Sequence, residues 1–88
     1  MAAPVQLPLF PDRAALTRIH PERNEWRFYR LDVWPDLFGY ALLARNWGRI
    51  GAGGHLRLDP YPDPGAALNA LARLTRGKRR RGYRDSPA

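Results

Sequence analysis

Hydrophobic and polar residues alternate through the middle of the chain, which is the pattern of half-buried β-strands. In EWRFYRLDVW (25–34), this alternation places one set of side chains on one face: Arg27, Tyr29, Leu31 and Val33. YALLARNWGRI (40–50) alternates equally well, ALTRIH (15–20) alternates more loosely, and HLRLD (55–59) resembles a short return strand. We therefore predict four strands, at 15–20, 25–34, 40–50 and 55–59.

Short turn signals separate these strands. HPERN (20–24) contains Pro and Asn, PDLFG (35–39) forms a loop, and GAGG (51–54) supplies the glycines that a tight hairpin requires. Pro60 and Pro62 are expected to end the last strand, because proline cannot donate to the ladder. Links this short predict an antiparallel meander.

The hydrophobic period changes to that of a helix after residue 62. Asp63 is a suitable N-cap, Pro64 suits the first helical position, and Gly77 is expected to stop the helix. We predict an α+β fold: a four-stranded antiparallel meander sheet covered on one face by a single C-terminal helix at 63–77. We expect residues 1–14 to form an extended N-terminal arm, 15–84 the domain and 85–88 a tail.

The charge distribution points to a polyanionic partner. The 88 residues hold 15 basic and 8 acidic side chains, a net charge of +7. The segment 73–84 contains no acid and supplies the whole excess through Arg73, Arg76, Lys78, Arg79, Arg80, Arg81 and Arg84. Such a cluster attracts nucleic acid. A solvated basic segment that serves only solubility is the alternative.

The sequence offers little for catalysis, metal binding or membrane insertion. There is no cysteine, the two histidines His20 and His55 have no second ligand at metal spacing, and the carboxylates are scattered. The glycines near residue 51 are not followed by the Lys-Ser/Thr of a phosphate loop. We expect no catalytic residue, no metal and no cofactor. The absence of a signal-like N-terminus and of a long apolar run predicts a cytoplasmic protein, without a membrane partner or a small-molecule substrate.

The segment RNWGRIGAGGH (45–55) carries the most specific candidate site. Arg45, Trp47 and Arg49 follow at two-residue steps and are expected to project from one face, while the glycines leave room for a bulky partner. An indole flanked by guanidinium groups suits a stacked nucleotide with its phosphates. Alternatively, Trp47 packs against the helix and the glycines only form the hairpin.

The run NWGRIG (46–51) resembles the signature of the WGR domain. This module occurs in DNA-damage-responsive poly(ADP-ribose) polymerases and as small bacterial proteins. The resemblance extends to RFYRLDV (27–33), to LFGYALLARNWGRIG (37–51), to the helix and to KRRRGY (78–83), so it covers about residues 15–84. The glycine-dense GAGGH departs from the family pattern.

The resemblance implies a module that binds DNA at ends or nicks and is associated with the nucleoid. Trp47 would stack on a terminal nucleotide, and Arg49 beside it would contact the backbone or a partner. Gly48 and Gly51 would keep the approach open, Tyr83 would lie near the same site, and phosphates would be held by Arg79, Arg80 and Arg81. The chain lacks the family's transferase domain, so no enzymatic activity is implied.

A second motif lies in the N-terminal arm. QLPLF (6–10) resembles the pentapeptide by which bacterial replication and repair proteins dock on the sliding clamp. Gln6 would make polar contacts while Leu7, Leu9 and Phe10 fill an apolar cleft, and the neighbouring prolines would keep the peptide extended. The alternative is that Leu9 and Phe10 pack onto the sheet.

Together these features predict a non-enzymatic DNA-binding module that recognises ends or nicks and is tethered to the sliding clamp by its arm. Two other functions fit the same residues. The sheet could hold a polypeptide, with the basic segment acting only in solubility, or the aromatic strands could bind single-stranded RNA.

Overall fold

A computed structural model describes residues 12–86. The predicted docking residues Gln6, Leu7, Leu9 and Phe10 lie outside the described residues.

Five antiparallel strands form one sheet in the order β4-β3-β2-β1-β5. The strands are β1 (Arg13–His20), β2 (Glu25–Pro35), β3 (Ala41–Arg49), β4 (His55–Tyr61) and β5 (Arg84–Asp85), with a short 3-10 turn at Pro21–Arg23 between β1 and β2. The predicted meander is therefore confirmed for β1 to β4. The predicted number of strands is wrong, because the chain returns after the helix and pairs Arg84 and Asp85 with the outer edge of β1. Two residues are too few to show an alternating pattern.

The strand β4 is longer than its prolines suggest. Pro60 lies opposite Leu42 within the ladder, and pairing continues to Tyr61 opposite Ala41. The prediction that Pro60 ends the strand is thus wrong. Proline is tolerated here because β4 lies at the edge of the sheet, where a missing N–H need not break a ladder bond.

The helix α1 (Pro64–Arg80) starts as predicted and ends later than predicted. The Asp63 carboxylate accepts a hydrogen bond from the Ala66 N–H at 2.8 Å, which caps the first turn. Gly77 lies inside the helix, so its assignment as the stop is wrong. The left-handed residue that terminates the helix is Gly82, with φ 92°, and the Tyr83 N–H then bonds back to the Lys78 carbonyl at 3.1 Å.

The core lies between α1 and one face of the sheet. Its fully buried side chains come from three strands (Leu16, Leu31 and Leu43), and the helix contributes Ala67, Ala70 and Leu71. The other face of the sheet exposes large apolar side chains, among them Trp34, Leu56 and Leu58. The α+β class, with one C-terminal helix on an antiparallel sheet, is confirmed. Across residues 12–86, no helix is long and apolar enough to cross a membrane.

Candidate nucleic-acid interface

An open pocket of about 510 Å³ lies where the β1–β2 turn approaches the end of β3 and the start of β4. Its lining combines aromatic and cationic side chains, among them Arg23, Arg27, Trp47, Arg49, His55 and Tyr83. Three neighbouring strands contribute to this pocket. Trp47 on β3 lies opposite Tyr29 on β2 and opposite His55 on β4. The pocket therefore offers flat rings beside guanidinium groups.

Trp47 both packs against the core and lines this pocket. Its ring stacks on Tyr29, with centroids 6.1 Å apart and planes inclined by 25°. On β4, His55 lies 5.6 Å from it at an angle of 33°. The indole is half-buried and contacts the core cluster, yet part of it remains on the pocket surface. Core packing therefore orients the ring without enclosing it.

Arg49 lines the same pocket, but its guanidinium is already engaged within the chain. It donates one hydrogen bond to the Asn24 backbone carbonyl (3.2 Å) and a second to the Asn24 side-chain oxygen (3.1 Å). Asn24 has the left-handed φ of 51° that closes the β1–β2 turn. Arg49 thus joins β3 to that turn and holds one wall of the pocket.

Arg45 lies on the same sheet face as Trp47 but outside the pocket. Its guanidinium pairs with the Asp59 carboxylate at 2.8 Å, and the side chain is only 18% exposed. Burial acts to lower the pKa of Arg45, but interactions with Tyr29 and Asp59 outweigh burial, so the pKa is raised. Since Arg45 turns toward β4 and Arg49 toward the β1–β2 turn, the three side chains do not form one free surface.

Glycines of the β3–β4 hairpin are required by the internal geometry of the fold. A Cβ on Gly48 would lie 2.8 Å from the Gly54 Cα, and one on Gly54 would lie 2.6 Å from the Trp47 carbonyl oxygen. The backbone at the end of β3 and the backbone just before β4 therefore lie too close together to leave room for a side chain at either glycine. Gly51 has open space around it and a φ of 91°, so its role is to form the turn.

The basic residues at the C-terminal end of α1 do not converge on the pocket. Arg79 donates to both carboxylate oxygens of Asp85 on β5, at 2.8 and 3.1 Å. Arg80 and Arg81 are exposed at the end of α1, and neither side chain forms an ion pair with another residue between 12 and 86. Tyr83 does reach the site. It is buried, lines the pocket and meets Tyr29 edge-on at 6.4 Å.

Four residues that lie near the site were not predicted from the sequence. Arg23, Arg27 and His55 line the pocket, and the Lys78 ammonium lies 4.4 Å from the Tyr29 ring centroid. The alternation of β2 already places Arg27 on the face of Tyr29, and a hairpin around GAGG brings His55 close to Trp47. The position of Lys78 had no such signal, because it depends on how α1 crosses the sheet.

The pKa of Lys78 is lowered. The largest cause is burial, which disfavours the charged ammonium, and nearby arginines add to it, with Arg81 and Arg27 first among them.

Across the described residues 12–86, no three potential metal ligands lie together.

Comparison with known proteins agrees with the signature. A family model for the WGR domain matches residues 12–88. The chain is also 38% identical over 78 residues to "uncharacterized protein y4dW" of Sinorhizobium fredii (strain NBRC 101917 / NGR234). That alignment covers 89% of this chain and 38% of the relative, so the chain spans well under half the relative's length. No solved structure matched the chain.

Proposed function

Because this chain belongs to the WGR domain family, in which the module binds nucleic acid, we propose that it is a non-enzymatic DNA-binding module that recognises ends or nicks. One observation carries the proposal: the Trp47 indole is held by core contacts but open to a pocket lined by cations. At a DNA end the terminal base has no neighbour on one side, and at a nick one strand no longer holds the stack together, so in both cases a base becomes accessible to an aromatic ring.

The charges around the pocket support this function. Arg23 and Arg27 line the pocket beside the indole, and further cations lie at the end of α1. If about five phosphates are contacted, affinity falls several hundredfold between about 50 and 200 mM salt. Stacking of one base on an aromatic ring contributes about 1–3 kcal/mol, and this term does not depend on salt.

Titration of blunt, nicked and covalently closed duplexes at two salt concentrations tests the proposal. We expect tighter binding to the blunt and nicked duplexes, and a larger loss on those two ligands for Trp47→Ala. Trp34→Ala is the matched control, because Trp34 is an exposed indole on the opposite face of the sheet. Equal losses on open and closed DNA would contradict end stacking, and thermal denaturation checks that Trp47→Ala remains folded.

The exposed face of the sheet favours a second candidate function, a protein-interaction adaptor. Trp34 and Leu58 are exposed on the face of the sheet away from α1, and Leu37 and Phe38 in the β2–β3 loop are 97% and 85% exposed. Apolar surface of this kind marks protein contacts. A partner retained at high salt would support the adaptor, while tighter binding to single-stranded RNA than to DNA would favour the RNA alternative.

Tethering to the sliding clamp through Gln6, Leu7, Leu9 and Phe10 remains a proposal based on sequence. Clamp binding that is lost in Leu9→Ala/Phe10→Ala, while DNA affinity is unchanged, would support it.

A further inference from the structure

Lys78 lies within the aromatic cluster that supports Trp47. Its ammonium is 4.4 Å from the Tyr29 ring centroid and 5.3 Å from that of Tyr83. Tyr29 also stacks on Trp47. The same ring therefore contacts both the half-buried ammonium of Lys78 and the indole proposed to carry the nucleotide.

Positive charge around Lys78 exceeds negative charge. The cations that act on it come from β1, β2, β3 and the end of α1: Arg18, Arg27, Arg45 and Arg81. Two of these cations are already paired with an acid, since Arg18 contacts Glu25 at 2.6 Å and Arg45 contacts Asp59 at 2.8 Å. Within residues 12–86, no acid pairs with Lys78, Arg27 or Arg81. Three cations thus share a small region without counterions.

We propose that Lys78 contacts a phosphodiester oxygen of the strand whose nucleotide stacks on Trp47. This inference rests on the proposed nucleic-acid function and adds a phosphate-binding residue to it. Aromatic rings attract the ammonium but do not neutralise it, so its charge remains available to an anion. Partial burial lowers the local dielectric, which makes a phosphate contact at Lys78 stronger than one at a fully exposed arginine.

The electrostatics of the free protein agree with such a contact. Burial and four neighbouring guanidinium groups lower the pKa of Lys78. In the free protein, these surroundings therefore destabilise the charged ammonium relative to the neutral amine. A phosphate beside the ammonium would favour the charged form and raise that pKa again. The nucleic acid would supply the missing counterion.

Lys78 is the sole lysine of the sequence, so its side chain can be observed alone. In protein labelled with ¹³C at the lysine ε-carbon, one side-chain NMR signal reports the pKa as pH is varied. We expect a higher pKa with bound nicked duplex than in the free protein. An unchanged pKa with the duplex bound would overturn the proposal.

A matched pair of variants distinguishes a specific phosphate contact of Lys78 from a general effect of positive charge on DNA binding. Lys78→Met and Arg76→Met each remove one cation from α1, but Arg76 is exposed on the helix surface. A lost charge-assisted hydrogen bond of about 1.5–3 kcal/mol corresponds to roughly 10–150-fold weaker binding for Lys78→Met, with a smaller loss for Arg76→Met. Equal losses would overturn the proposal.

Failure of the proposed DNA-binding function would give a different experimental result. If the wild-type protein binds DNA and Trp47→Ala weakens that binding, equal losses in the methionine pair refute only the role of Lys78. If the wild-type protein binds no nucleic acid, both proposals are refuted. Comparison of melting temperatures excludes misfolding of Lys78→Met as the cause of its loss.

Discussion

Arg49 and Asn24 are joined by two hydrogen bonds from one guanidinium, one to the backbone carbonyl and one to the side-chain oxygen of Asn24. The arginine of the signature therefore holds the β1–β2 turn against the end of β3. This contact is internal to the fold, yet it determines the shape of the pocket that Trp47 lines.

The first prediction concerns this pair. Arg49→Lys retains a positive charge but cannot reproduce the two-pronged contact, so it should behave like Arg49→Ala and lower stability by about 1 kcal/mol. Thermal denaturation measures the stability, and amide hydrogen exchange should increase at residues 22–24. Wild-type stability and exchange in Arg49→Lys would indicate that charge alone matters at this position.

The second prediction follows from the true end of the helix. Gly77→Ala should stabilise the protein by about 0.5–1 kcal/mol, because a Cβ there meets nothing within 4 Å and the helix interior favours alanine. In a domain of this size, this corresponds to a rise of a few degrees in melting temperature. Gly82→Ala should be destabilising, since Gly82 has a φ of 92°. A destabilising Gly77→Ala would contradict the assignment of residue 77 to the helix interior.

The third prediction contrasts two adjacent glycines of the β3–β4 hairpin. Gly54→Ala should destabilise the protein strongly, because its Cβ would meet the Trp47 carbonyl oxygen at 2.6 Å and the Phe28 ring at 2.8 Å. Gly53→Ala should be tolerated, since nothing lies within 4 Å of its Cβ. Chemical denaturation of the two variants tests this difference, and similar stabilities would contradict the close approach of the strands.

The fourth prediction distinguishes the three arginines at the C-terminal end of α1. Arg79 is paired with Asp85, whereas Arg80 and Arg81 are exposed at the end of α1. Arg80→Ala and Arg81→Ala should each reduce the slope of log affinity against log salt by about 1. Arg79→Ala should change the slope less, because its guanidinium must first leave Asp85. The largest slope change at Arg79 would reverse this ranking.

The fifth prediction is a pH dependence that rests on Lys78. Its pKa is lowered in the free protein by burial and neighbouring cations, and a bound phosphate would raise it. Between these two values, binding takes up a proton, so DNA affinity should fall as pH rises toward the ordinary lysine value of about 10.4. Lys78→Arg should remove this fall, because arginine stays charged. An identical pH profile in the variant would exclude Lys78 as the titrating group.

Local patterns predicted most of the fold. Alternation in residues 25–34 and 40–50 identified two strands and their faces, and Asp63 with Pro64 marked the start of the helix. Its end was misplaced because Gly77 and Gly82 are both acceptable stops by composition. The choice depends on Tyr83, which is buried beside Tyr29 and Lys78 and so sets where the chain leaves the helix.

The candidate site was predicted only in part. Trp47, Arg49 and Tyr83 do lie around one pocket, but Arg45 and Arg79 are engaged with Asp59 and Asp85. Each of these pairings joins two different elements of the fold, β3 with β4 and α1 with β5, and no periodicity identifies them. Lys78 was overlooked for the same reason, whereas the alternation of β2 had already placed Arg27 on the face of Tyr29.

The sequence by itself determined the antiparallel sheet, its single covering helix, the excess of positive charge and the family, because these follow from local periodicity, composition and one short motif. Only the tertiary structure decided which cations are paired with acids and which remain near the Trp47 pocket. That outcome depends on strand register and on the angle at which α1 crosses the sheet, and both arise from packing between distant segments.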